Sequence, residues 1–310
     1  MRLERRRLGR RGLPRPRLSS VARATFPNWL EGFMSRVSLA HLLQDARRRD
    51  YAVPAFNAWT YQDALALVRA AEQARSPLII QTSGTCIRHN GLSFSYQMVE
   101  NATRQASIPV AIHLDHGQER RLIFDAIRLG YDSVMYDGSM LPMDENIENT
   151  RLVKAVADEY GVSVEAEIGH VEKGRGDHEV LTTPEEAQRF LAATGVDALA
   201  VAVGTRHGMQ SHDAPLHFET LDALGSALDT PLVLHGSSGV ADQDLPRVAR
   251  SLVCKINIAT RLRDVFIQAL GEEAEAYTGS DHIALMMRAH EATIREAMVL
   301  MGLMGSAGRC

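Results

Sequence analysis

The stretch Ala111-Ile112-His113-Leu114-Asp115-His116-Gly117 decides how this chain is read. An apolar run over residues 108–112 leads into it, and a segment of helical spacing over 119–129 follows. A short apolar run bounded in this way reads as a buried strand. Three ionisable side chains then fall within residues 113–116, at the strand end where a barrel enzyme carries its catalytic groups. Alternation sends His113 and Asp115 to one face and His116 elsewhere, unless the strand already turns there. Side chains of this kind also cap the helix that follows, so the stretch alone leaves a structural role open.

Outward from this stretch, short apolar runs alternate with helical patterns. Strands are expected at residues 52–56, 78–81, 110–114, 133–136, 163–167, 198–203, 232–234 and 255–258. Helical spacing fills 62–74, 95–105, 122–129, 145–160, 184–193, 218–227 and 245–252. Gly130-Tyr131, Gly161-Val162 and Thr194-Gly195-Val196 each stop a helix just before the next strand, as glycine does cheaply at a helix C-terminus. Eight strand–helix units in roughly 230 residues match an α/β fold of the (β/α)8 TIM-barrel type. A doubly wound sheet is the alternative, but no Gly-x-Gly-x-x-Gly follows the first strand. Helical segments at 261–277 and 282–304 come after the eighth strand, as additional C-terminal helices.

Composition bounds the function. The 310 residues are 45% hydrophobic, enough for one large core or two small ones. A net charge of -4 offers no general signature of nucleic-acid binding. No apolar run approaches the roughly 20 residues of a membrane span. Cys86, Cys254 and Cys310 are too few and too scattered for a disulfide framework, which suits a reducing, cytoplasmic setting. Any metal site must therefore use His and carboxylate. Residues 1–33 carry nine Arg and two Glu, leaving a charge of -11 on residues 34–310. This Arg-rich start, with Pro14 and Pro16, reads as a disordered extension ahead of one domain over 34–310. A transit peptide is one account of it. A start codon at Met34 is the favoured one, since Ser38-Leu39-Ala40 opens the first helix.

The strand ends share a pattern. His116, His207 and His235 each lie just past a strand and each precedes a glycine. A lone His in such a place is usually an ordinary surface residue. Three in one context, on a face where all strand ends converge, suggest a catalytic zinc set with one open position. Gly236-Ser237-Ser238-Gly239 and Asn257-Ile258-Ala259-Thr260 both lead into helices. Helix N-termini bind anions, and barrels commonly hold phosphate after strands seven and eight.

These residues resemble the class II, zinc-dependent ketose-bisphosphate aldolases, which include the fructose- and tagatose-bisphosphate enzymes. The matching segments, in order, are Ala55-Phe56-Asn57, His113-Leu114-Asp115-His116-Gly117, Glu165-Ala166-Glu167-Ile168-Gly169, Gly204-Thr205-Arg206-His207-Gly208, Leu234-His235-Gly236-Ser237-Ser238-Gly239, Lys255-Ile256-Asn257-Ile258-Ala259-Thr260 and Gly305-Ser306-Ala307-Gly308. The resemblance implies a zinc ion on His116, His207 and His235, with Glu167 at a second metal position. The ion would polarise a ketose phosphate and stabilise the enediolate left when the carbon–carbon bond breaks. Asp115 would move the proton on the aldehyde half. Gly208, Gly236, Ser238, Asn257, Ala259 and Thr260 would hold the phosphate of a dihydroxyacetone phosphate half. Asn57 and Ser83 would add substrate contacts. A monovalent cation beside the phosphate and a homodimer or homotetramer are further family features.

The departures concern substrate. The family's mobile loop carries paired glycines and a proton-exchanging Glu, where this chain has His170-Val171-Glu172-Lys173-Gly174-Arg175-Gly176-Asp177-His178-Glu179. Glu172, Asp177 and Glu179 are out of register with that Glu. The family's phosphate-binding Lys falls near Gln210 and Ser211, with Arg206 as a substitute charge. An Asp-Pro-Arg that reaches the far phosphate of a neighbouring subunit's substrate becomes Asp281-His282-Ile283, leaving Arg263 as the distal anion contact. Ala259 matches the tagatose type. A small-molecule sugar phosphate other than fructose 1,6-bisphosphate is therefore expected, such as a monophosphate or an acid-bearing ketose. Two other classes remain: another metal-dependent barrel enzyme (a sugar isomerase or hydrolase), and a non-catalytic sugar-phosphate binder. The apolar residues at 284–287 and 298–304 suit either a subunit interface or ordinary core.

Overall fold

A computed structural model of the protein describes residues 35–169, 181–279 and 281–310. The expected Arg-rich extension and the departing loop with Glu172, Arg175, Asp177 and Glu179 lie outside the described residues.

Eight strands close into a parallel barrel in chain order. They are β1 (Val53–Asn57), β2 (Leu78–Ser83), β3 (Val110–Gly117), β4 (Ser133–Tyr136), β5 (Ser163–Ile168), β6 (Ala198–Val201), β7 (Leu232–Leu234) and β8 (Val253–Ile258). The helices are α1 (Leu39–Arg48), α2 (Tyr61–Ala74), α3 (Gly84–Asn90), α4 (Leu92–Thr103), α5 (Arg120–Leu129), α6 (Met143–Tyr160), α7 (Pro184–Thr194), α8 (Phe218–Ala227), α9 (Leu245–Ala249), α10 (Thr260–Glu275) and α11 (His282–Leu303). Among the described residues, no helix is long and apolar enough to cross a membrane.

Alternation along each strand sorts the core into two layers. Outward side chains such as Ile80, Ile112, Leu114, Val164, Leu199 and Ile256 pack against the helices. Inward ones are small toward the N-terminal end, including Ala55, Ala111, Ala198, Ala200 and Val233. Leu39, Leu42, Leu43 and Ala46 of α1 lie on one helical face and join that inner layer, closing the barrel at this end. Truncating one of these buried leucines to Ala is expected to cost about 2–5 kcal/mol. Catalytic groups are thereby left to the opposite, C-terminal end.

Local signals set the boundaries. Thr60 and Asp63 form a reciprocal capping box on α2, and Thr183 and Glu186 do the same on α7. Gly130, Gly161 and Gly195 end α5, α6 and α7 in the left-handed conformation, as their sequence context predicts. Three expectations shift. Helix 95–105 is preceded by a separate short helix, α3, because Gly91 with φ 79° breaks the run. The sixth strand ends at Val201 and not at residue 203. The third strand continues to Gly117 rather than stopping at 114, with consequences for the site. Leu285, Leu300, Met301 and Met304 are buried within the chain itself, so much of the C-terminal apolar pattern is core. Ile267, Ile283 and Val299 stay exposed.

Candidate metal centre and active site

Asp115 and His116 both reach the cavity at the C-terminal mouth of the barrel, although neighbours on a regular strand point opposite ways. The register of β3 against β4 shifts between Leu114 and Gly117. Within that bulge His116 takes a left-handed backbone, φ 51°. Such a conformation is rare for a residue with a Cβ and is typically retained where a side chain must be re-aimed. Gly117 follows under a tight roof: a Cβ there would lie 2.7 Å from the carbonyl oxygen of Met135.

The bulge brings three imidazoles together. His116 Nε2 lies 3.2 Å from His207 Nε2 and 3.0 Å from His235 Nδ1. The outer nitrogens of two rings are held by carboxylates. His116 Nδ1 pairs with Asp137 Oδ2 at 2.9 Å, and His235 Nε2 pairs with Glu165 Oε1 at 2.8 Å. An ionised carboxylate only accepts, so each neutral ring places its N–H there. The facing atoms, His116 Nε2 and His235 Nδ1, are then both lone pairs at 3.0 Å. Two lone pairs at that distance repel, so a cation belongs between them: a second proton on His116, or a metal ion in its place. Zinc–nitrogen bonds of about 2.0 Å in a tetrahedron would space the nitrogens by about 3.3 Å, close to what is seen. The donor set therefore fits a zinc ion, with carboxylates orienting two ligands from behind.

The local field agrees. His116 is raised to about 9: burial works against its charged form, and the anions Asp115, Asp137 and Glu167 outweigh burial. Burial drives His235 well down, as does the charge at His116. Burial pushes the Asp115 carboxyl up, but the charges of His116, His235 and Lys255 and a bond from Asn57 leave it below the ordinary range. Asp137 is held lower still, its burial overcome by His116 and Ser139. A second group, His116, Asp137 and Glu167, also has ligand atoms within 4.8 Å of one another.

The cavity, about 740 Å³, is lined by Asp115, by the histidines at 116, 207 and 235 with Glu167, and by the expected substrate contacts from Asn57 and Ser83 to Thr260 and Arg263. Asp115 takes 2.9 Å and 3.4 Å bonds from the amides of Asn57 and Asn257. Gly208, Gly236, Ser238, Ala259 and Thr260 gather where β6, β7 and β8 end. Gly236 has φ 65°, and a Cβ on it would strike the Arg206 backbone at 2.7 Å, so the turn demands glycine. The amide of Arg261 donates to Ser238 Oγ at 3.2 Å, tying the turn after β7 to the start of α10. Ser83, Trp59 and Arg88 line the cavity past β1 and β2, and Arg263 lines it from the first turn of α10. A groove of similar volume, about 770 Å³, lies on the outside along α2 and α4 and is lined by no histidine.

These observations meet the comparisons with known proteins. The family model for class II fructose-bisphosphate aldolase matches residues 37–309. The chain belongs to the class II fructose-bisphosphate aldolase family. Among solved structures, this aldolase is similar to the YdjI aldolase from Escherichia coli K12, with 32% identity, a TM-score of 0.79, and coverage of 88% of this chain and 98% of that one. It is also similar to a Coccidioides immitis protein described as a candidate fructose-1,6-biphosphate aldolase, with 30% identity, a TM-score of 0.80, and coverage of 87% and 97%. Fructose-bisphosphate aldolase from Campylobacter jejuni, at 21% identity and a TM-score of 0.77, shares the fold over 89% of this chain and 97% of that one. An aldehyde-lyase follows from the family.

Several groups in the aldolase site escaped sequence reasoning. Asp137 follows β4 as one unremarkable Asp among many, and only its bond to His116 reveals it. Glu165 and Lys255 lie within matching segments that assign them no role, and alternation from Glu167 and Asn257 points both inward. Arg88 was missed because α3 was missed. Its guanidinium turns back over Gly84, where a Cβ would lie 3.3 Å from Nη1. His113 is buried with Nδ1 2.8 Å from Ser133 Oγ, inside the barrel as expected. Arg206, offered as a replacement phosphate charge, is not among the residues lining the cavity. Gln210 lies outside it too, its amide 3.4 Å from Asp264.

Proposed function

We propose that this aldolase is a zinc-dependent lyase that cleaves a ketose phosphate other than fructose 1,6-bisphosphate, or joins its halves. The reading rests chiefly on the facing lone pairs of His116 and His235, which call for a cation beside Asp115. His116, His207 and His235 hold the ion, and Glu167 with Asp137 offers a second position for it. When bound, zinc supplies a Lewis acid for the substrate ketone and its neighbouring hydroxyl.

The chain's own groups do the rest. Asp115, kept ionised, takes the proton from the hydroxyl oxygen that becomes the aldehyde as the carbon–carbon bond breaks. The electron pair of that bond passes to the ketone half. In the synthetic direction Asp115 returns the proton to the same oxygen. Asn57 and Asn257 aim its two oxygens. Gly208, Gly236, Ser238, Ala259 and Thr260 receive the phosphate of a dihydroxyacetone phosphate half, with the N-terminus of α10 supplying backbone donors. A monovalent cation beside that phosphate would offset the Lys that Gln210 and Ser211 replace.

Arg88, past β2, and Arg263, in the first turn of α10, both line the cavity and support a distal anion met within one chain. With Ala259 in the tagatose-type pattern and no Asp-Pro-Arg, an acid-bearing or singly phosphorylated ketose fits better than fructose 1,6-bisphosphate. The test is an aldol screen of the zinc-loaded protein, pairing dihydroxyacetone phosphate with neutral, carboxylated and phosphorylated aldehydes. The best turnover is expected with a carboxylated aldehyde or with one lacking phosphate. Activity confined to glyceraldehyde 3-phosphate overturns the substrate reading while leaving the zinc lyase intact.

A further inference from the structure

We infer that Glu165 and Lys255 are positioning residues that select which nitrogen of His235 faces the metal. The inference rests on the zinc reading above, and its test separates the two.

The observation is a chain of three groups inside the barrel. Glu165 precedes Glu167 by two residues on β5, and Lys255 precedes Asn257 by two on β8. Alternation therefore aims both inward, one layer below the cavity floor. Glu165, Lys255 and His235 have no exposed surface. Lys255 Nζ donates to Glu165 Oε2 at 2.8 Å, and His235 Nε2 donates to Glu165 Oε1 at 2.8 Å. One carboxylate thus spans an ammonium and an imidazole. His113 Nε2 stands 3.7 Å from the same carboxylate, beyond a direct bond.

A buried ion pair is a poor way to gain stability, since apolar side chains of similar volume often serve as well or better. Ala111, Ala198, Ala200 and Val233 show that this interior accepts apolar residues. What an apolar pair cannot do is keep an acceptor on His235 Nε2. A neutral imidazole has one N–H. With that proton on Nε2, the Nδ1 lone pair points at His116 Nε2, 3.0 Å away, and both atoms are ready for an ion. With the proton on Nδ1, His235 would present an N–H to the cluster and could offer a metal no lone pair there. Glu165 imposes the first state because a carboxylate offers no proton. Lys255 holds the other oxygen of Glu165 and so fixes the carboxylate beneath the ring. The pair therefore holds the histidine cluster open as a ligand set, at no cost in contact with substrate.

Two measurements on the full chain test this. The first is zinc affinity by competition with a chromophoric chelator, for wild type, Glu165→Gln and Glu165→Gln/Lys255→Met. A glutamine amide can turn either its oxygen or its nitrogen to the ring, so it no longer chooses the tautomer. Affinity is expected to fall about 10–100-fold in both variants, with circular dichroism of the barrel unchanged. The second is nitrogen NMR of the histidines in metal-free wild type. His235 is expected protonated on Nε2 and bare on Nδ1. Unchanged affinity in a folded double variant, or a proton on His235 Nδ1, overturns the inference while zinc lyase activity stands. If neither variant folds, the wild-type tautomer decides alone. A wild-type chain that binds no zinc overturns the zinc reading and this inference with it.

Discussion

His116, His235, Glu165 and Lys255 hold one another with side chains from four different strands. On the rim of the same cavity, Arg88 bonds Thr85 within its own helix, and Arg263 pairs with Asp264 beside it. The interior is cross-braced and largely buried. The rim is local and exposed. Long-range bonds between buried groups fix geometry, because leaving any one unmade is costly. Exposed neighbour pairs are worth little, and their side chains remain available to a ligand. This division suits a barrel that keeps one chemistry and changes substrate.

The comparison can be broken in several places. Removing the ion should have the largest effect. Dialysis against a strong chelator is expected to abolish aldol turnover, and added zinc to restore it. Activity that survives metal-free would end the zinc reading. Asp115→Ala should come next, lowering kcat by about 10²–10⁴-fold while zinc content by elemental analysis stays at the wild-type level. Loss of zinc along with activity would move Asp115 from proton transfer to metal retention.

Rim changes should be smaller and selective. Arg88→Met is expected to reduce kcat/KM about tenfold for an anionic aldehyde, the loss of one charge-assisted bond, and to leave a neutral aldehyde nearly unaffected. Equal losses on both substrates would make Arg88 structural.

The smallest expected effect concerns the turn that carries Trp59. Asp63 accepts from the amides of Trp59 and Thr60, and His290 Nε2 of α11 donates to it at 2.9 Å. Burial raises its pKa, but these bonds outweigh burial and hold it below the ordinary value. A folded pKa below the unfolded one adds stability above the unfolded value, and this is lost as pH falls through the folded value. Asp63→Ala should therefore cost about 1 kcal/mol near neutrality, read as a lower midpoint in urea, and the gap to wild type should narrow below about pH 4. A gap independent of pH would mean that the charge of Asp63 contributes nothing.

Much of this was legible in one dimension. Periodicity and glycine stops revealed eight units, and the His-Gly repeats at 116, 207 and 235 pointed to a set of candidate ligands, because barrel topology places all strand ends together. Asp115 and His116 could not both be aimed inward from alternation alone. The bulge that turns His116 depends on pairing with β4, and such pairing is not written in β3. Arg88 stayed hidden for a related reason. A short helix after β2 carries no periodicity long enough to read.

The sequence by itself determined the fold class and the family, and it singled out the three histidines, Asp115 and the departures at the usual phosphate-binding Lys and Arg as candidates. These are matters of residue type at a spacing, and strand and helix periods make spacing readable. Only the tertiary structure decided which partners stand behind them: Asp137 behind His116, and Glu165 with Lys255 behind His235. Those contacts join strands far apart in the chain, and their strength comes from burial. Burial exists only once the barrel is closed.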